Sequence, residues 1–369
     1  MTELSRHERV SLALMHQETD RVPVDFGGKT TGIAVETYNE LKTLLNIESQ
    51  TQVLDARLQI AKVEEVVLDK FSVDTRYIYQ KPPASWKPKW IGDTFVDEWG
   101  IRLARPTGGF YYDYVEFPLA NADCLGDLEK HQWPNTEDSS RNVGLVEEAS
   151  RIAKQYNPFI ITTFKGPFEQ AWALRNFENY LLDMVMNREF AEALLDKVVG
   201  IQKKIYGPFL EMVGPYLDMV CFTDDMGGQV SPIISPKMYR EMIKPRHKEM
   251  VEFIKEKTGG AKVALHSCGS IKKFIPDFCD IGIEVLNPIQ VTASEMDINK
   301  LKSEFGHQLS FWGAIDTQKL LSFGNPNEIR QSVKETRSVL GKGGGYLFAP
   351  AHNIQAKTPP ENILPLFER

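Results

Sequence analysis

Cysteine is scarce: only Cys124, Cys221, Cys268 and Cys279 occur among 369 residues. Four are too few for a disulfide framework, so reduced thiols and a cytoplasmic setting are expected. Long apolar runs are missing too. Without about 18 consecutive apolar residues, no membrane-spanning helix is expected. The opening stretch MTELSRHERVSLALMHQETD is charged and amphipathic and lacks the apolar centre of a secretory leader. Positive charge is in deficit, with 43 Lys and Arg against 50 Asp and Glu. No basic stripe stands out, which excludes nucleic acid as an expected partner. No GxGxxG follows the first strand-like run, so a dinucleotide-binding open sheet is disfavoured. Gly341-Lys342-Gly343-Gly344-Gly345 precedes a strand rather than a helix, and reads as a helix C-cap and turn, not a phosphate loop.

What is present is a rhythm. After a helical start and the strand-like run Val22–Phe26, helix-like segments alternate with short apolar runs. These begin at Phe159, Leu217, Ala261, Gly282, Leu309 and Tyr346. With Thr75–Tyr79 they number eight, and alternation of this kind implies a parallel sheet. The expected architecture is an α/β fold, a (β/α)8 TIM-type barrel with an N-terminal helical segment, spanning 1–369 as one domain. Residues 80–118 are rich in Pro, Gly, Trp and Tyr, and read as a β-hairpin excursion or cap.

Polar residues collect just after the runs. They are Lys165–Glu169, Thr223–Gly228, His266–Ser270, Asn287-Pro288, Gly313–Asp316 and Pro350–Asn353. In a barrel these ends share one face, where active sites are built. In His266-Ser267-Cys268-Gly269, residues i and i+2 of an extended chain point the same way. An imidazole and a thiolate so placed suit Zn²⁺, which takes mixed N and S ligands. Two ligands do not complete a site. His352, Asp225, Asp224 and Glu169 are the candidates for the rest. Cys221 and Cys279 read as small hydrophobes, and His7, His16, His131, His247 and His307 as surface residues. Asp316 reads as a helix N-cap.

The order of strand-end motifs resembles the uroporphyrinogen decarboxylase superfamily. The motifs that carry it are Gly166-Pro167-Phe168-Glu169, Thr223-Asp224-Asp225-Met226-Gly227, His266-Ser267-Cys268-Gly269, Trp312-Gly313-Ala314-Ile315-Asp316 and Ala351-His352-Asn353-Ile354-Gln355. The decarboxylases of that superfamily carry an arginine-rich segment after the first strand. Here that region is Asp25-Phe26-Gly27-Gly28-Lys29-Thr30-Thr31-Gly32, without arginine. One lysine does not replace bidentate arginine donors for a many-carboxylate substrate. His-x-Cys-Gly instead resembles the zinc-dependent, corrinoid-linked methyltransferase branch. That likeness implies zinc held by His266 and Cys268, with His352 where thiol-methylating members place a cysteine. It also implies a corrinoid on a separate protein, since no Asp-x-His-x-x-Gly segment occurs here, and a homodimer as the assembly the family often forms. One thiolate and two imidazoles leave the ion formally +1, which favours an oxygen ligand, and a methyl ether is the expected donor. Asp225 and Glu169 are then the expected catalytic carboxylates. Asp224, Asn353 and Tyr112 are the expected substrate contacts, with Trp86, Trp90, Phe110 and Tyr111 as further ring-holding candidates. The competing readings are a metal-free decarboxylase of a smaller acid, working through Asp225 and His352, and a non-catalytic corrinoid- or tetrapyrrole-binding barrel.

Overall fold

The structure is a computed structural model and describes residues 3–368. Seven parallel strands form the barrel wall in sequence order: β1 (Thr75–Tyr77), β2 (Phe159–Lys165), β3 (Met219–Thr223), β4 (Lys262–His266), β5 (Val285–Asn287), β6 (Ser310–Ile315) and β7 (Tyr346–Pro350). Each pairs with the next in parallel register, for example Ala264 opposite Val285 and Trp312 opposite Leu347. Their near-continuous apolar sequences follow from burial on both faces.

The run Val22–Phe26 supplies the eighth stave, but only Val24 forms a bridge, to Phe348 of β7. Pro23 has no N–H to donate, and Gly27 turns the chain away at φ +95°. On the other side of the seam the Val24 carbonyl accepts from Asp74 N at 2.8 Å.

The barrel bottom is closed by α1 (Arg6–Leu14). Its start is set by a capping box: Ser5 accepts from Glu8 N, and the Glu8 carboxylate accepts from Ser5 N. Val10 and Leu14 pack among Phe159, Met219, Cys221, Ala264, Val285 and Leu347 inside the cylinder. Above them Trp312 is fully buried and donates its Nε1–H to Asp25 Oδ2 at 2.8 Å. Asp25 also accepts from Thr31, Thr75 and Tyr77 hydroxyls. Four neutral donors satisfy this carboxylate, and burial still pushes its pKa up against them.

Within 80–118 the chain forms a four-stranded antiparallel meander (Lys89–Ile91, Thr94–Val96, Arg102–Ala104, Asp113–Glu116). No helix among the described residues is long and apolar enough to cross a membrane.

Candidate metal centre

His266 is the last residue of β4, and Cys268 follows in the loop. Loop and strand are held by their neighbours. Ser267 N donates to Asn287 O at 2.6 Å, and Ser267 Oγ accepts from Met226 N. Gly269 N donates to Gln290 Oε1. Gly269 itself sits at φ +86°, and a Cβ there would lie 2.2 Å from the Gly227 carbonyl oxygen. The loops after β3 and β4 are therefore pressed together in a way that only glycine permits.

His352, from the loop after β7, crosses the mouth to meet them. One ligand atom each of His266, Cys268 and His352 lies within 4.8 Å of the others. Cys268 Sγ is 3.4 Å from His266 Nε2. The second ring nitrogen of His266 is committed: Nδ1 is 2.5 Å from Asn287 Oδ1, whose amide nitrogen is anchored on the Trp312 carbonyl. An amide oxygen can only accept, so Nδ1 carries the proton and Nε2 keeps its lone pair toward Cys268. His352 is kept neutral by its surroundings. Burial, then the nearby His266, push its pKa down to about 4.

Two carboxylates border these three. Asp225 Oδ1 accepts from Cys268 N at 2.7 Å and stands 3.9 Å from His266 Nε2. Glu169 is in the first turn of α2 (Pro167–Arg175) and accepts from Thr223 Oγ1 at 2.8 Å. Burial and then the Asp225 charge push Glu169 up to about 8. Burial and the same Asp225 raise the Cys268 thiol, so its thiolate needs a compensating cation. Two imidazoles and one thiol that awaits a positive charge fit a zinc ion by donor type and spacing. A cavity of about 600 Å³ opens beside them, with Cys268 and His352 in its wall and Gln229, Gln290, Thr292 and Gln355 around it.

Several expected roles are corrected. Asp224 is fully buried behind the site, not in it. Its oxygens accept from Phe168 N, Glu169 N and the ring of His247. His247, expected at the surface, is fully buried between Asp224 and the Tyr239 hydroxyl. Asn353 spends both ends of its amide on backbone, accepting from Gly32 N and donating to Lys29 O. Tyr112 packs in the meander against Phe95 and Trp90. Asp316, by contrast, takes the capping role its sequence context suggests, accepting from Gln318, Lys319 and Leu320 N. Trp172, on the same helix as Glu169, and Tyr114 have ring centroids 5.8 Å apart, with Lys165 against both. Neither ring was expected, although Trp172 lies one helical turn beyond Glu169. Asn287 was noted only as a strand end.

The uroporphyrinogen decarboxylase (URO-D) family model matches residues 114–369. The chain belongs to this family. Among URO-D relatives, a methylated-thiol–coenzyme M methyltransferase of Methanosarcina mazei is 22% identical over 297 residues, covering 74% of this chain and 77% of the relative. A uroporphyrinogen decarboxylase of Prochlorococcus marinus is 24% identical over 291 residues, covering 73% and 80%. Both relatives are enzymes. A solved methyltransferase structure from Methanosarcina mazei superposes with a TM-score of 0.65 at 17% identity, covering 99% of this chain and 97% of the other, and bears out the α/β barrel.

Proposed function

We propose that this URO-D protein is a zinc-dependent methyltransferase, moving a methyl group between a small substrate and the cobalt of a corrinoid carried by a separate protein. The observation that carries this reading is the meeting of His266, Cys268 and His352 within 4.8 Å at the barrel mouth. The likeness to a methylated-thiol–coenzyme M methyltransferase supports it, as does the lack of arginine between Asp25 and Gly32. A zinc ion held by that set would supply Lewis acidity to a lone pair on the atom that bears the methyl group.

The surrounding side chains do the remaining work. Asn287 holds His266 in the tautomer that presents Nε2. Asp225 fixes the Cys268 backbone and sets a negative charge beside His266. Glu169 retains a proton at neutral pH. Its Oε2 already accepts from Thr223, so Oε1 is the oxygen that can deliver that proton to the leaving oxygen of a methyl ether. Tyr114 and Trp172 offer ring faces and edges for an aromatic donor.

Metal analysis of protein purified without chelator tests the reading. About one zinc per chain is expected, lost in Cys268→Ser with the circular dichroism spectrum unchanged. Zinc below about a tenth per chain, and not restored by added zinc, would overturn it in favour of metal-free decarboxylation. With zinc present, methyl transfer to reduced free cobalamin from a panel of methyl ethers and thioethers tests the reaction itself.

A further inference from the structure

Arg57 occupies the tip of a two-stranded ribbon (Val53–Asp55 with Ile60–Ala61) laid beside the mouth. Its carbonyl accepts from Tyr112 N, which fastens the ribbon to the meander. The guanidinium is half-buried and lies 5.0 Å from the Tyr114 ring centroid. Lys165 approaches the same ring at 4.8 Å and donates to the Tyr114 hydroxyl at 2.9 Å. Neither cation forms an ion pair among the described residues. The fully buried arginines, by contrast, are all paired: Arg9 with Asp20 and Asp74, Arg76 with Glu65, Arg141 with Glu98, Arg175 with Asp183. The charge of Arg57 bears on both Glu169 and His352, which places it toward the metal centre. Asp55, Glu169 and Asp113 favour the Arg57 charge from beyond ion-pair distance, so its forked donors have no carboxylate partner of their own.

We propose that Arg57 and Lys165, clasping Tyr114, form the seat for a carboxylate on the methyl donor, across the mouth from His266, Cys268 and His352. This rests on the mouth being where the donor binds, and adds that the donor is an anion. The forked donors of arginine match a planar carboxylate, and Lys165 adds a second charge.

The test compares matched pairs by isothermal titration on the purified full-length protein: 4-methoxybenzoate against methoxybenzene, and (methylthio)acetate against dimethyl sulfide. In at least one pair the anion is expected to bind about tenfold tighter or more, as a charge-assisted contact provides. Arg57→Gln should abolish that advantage and Lys165→Gln should reduce it, with the neutral partner and the zinc content unchanged. Unchanged zinc shows that both variants are folded. Equal affinity within both pairs, absence of binding by all four, or an advantage that survives both substitutions would overturn the proposal. Protein that lacks zinc yet shows the Arg57-dependent preference would sink the methyltransferase reading and leave the carboxylate seat standing.

Discussion

At the scale of single residues, the decisive question is which nitrogen of His266 faces Cys268. Asn287 answers it with one hydrogen bond, so its removal should act on metal affinity rather than on the fold. Asn287→Leu is expected to weaken zinc binding about 10- to 100-fold in competition with a chromophoric chelator. Asn287→Asp, which keeps an acceptor for Nδ1–H, should retain most of it. Glu169→Gln keeps the volume and the contact with Thr223 but has no proton to give. It should leave zinc bound and slow transfer from methyl ethers by about 10²-fold or more. His266 and Cys268 could be singled out from the sequence because their spacing aims both side chains one way and the His-x-Cys-Gly motif resembles that of the zinc-dependent methyltransferases. Asn287 could not, since its partnership arises from the pairing of β4 with β5. Arg57 was equally hidden, because the absence of a partner is a property of space and not of order along the chain.

At the scale of elements, Asp224 is the hinge pin between β3 and α2. Its two oxygens receive the first free N–H groups of the helix, which fixes where Glu169 points. Gly166 allows this closeness, since a Cβ there would fall 2.4 Å from the Asp224 carboxyl carbon. Asp224→Ala would strand two buried N–H groups and the His247 ring. It should cost on the order of 3 kcal/mol in denaturant titrations. The strand runs were readable because apolar residues buried on both faces leave an unbroken signature. The misplacement of His247 shows the opposite case. It sits in Lys-Pro-Arg-His-Lys-Glu-Met, a charged neighbourhood. Yet His247, Met250, Val251 and Ile254 share one buried face of the helix Lys244–Thr258. Helical spacing would have exposed that stripe where local polarity concealed it.

At the scale of the whole molecule, charge secures the floor of the barrel. Arg9 is buried and reaches both Asp20 and Asp74, and Arg21 grips Asp74 with two nitrogens. The hydrogen bond from Arg9 holds Asp20 down to about 2. A carboxyl with a depressed folded-state pKa contributes stability above its ordinary range near 4 and loses it as pH falls toward 2. The denaturation midpoint should therefore drop across that interval. Asp20→Asn should lower stability at neutral pH and flatten this part of the profile. The barrel itself was foreseeable from the count of eight runs, but not the brevity of the first stave, which Pro23 and Gly27 cut short.

That brevity has a consequence for how the cylinder breathes. Between β7 and β1 the wall is one residue thick in the ladder sense, carried by Val24 and the amides of Asp25, Phe348 and Asp74. Everywhere else neighbouring staves pair through two to five residues. Thermal opening should begin at this join, and deuterium should reach Asp25 and Phe348 amides sooner than those of Val263 or Val220. Asp74, clasped by two arginines and bonded to Val24 N, works as the buckle on that belt. Undoing it would let the cylinder unroll from a place far below the chemistry.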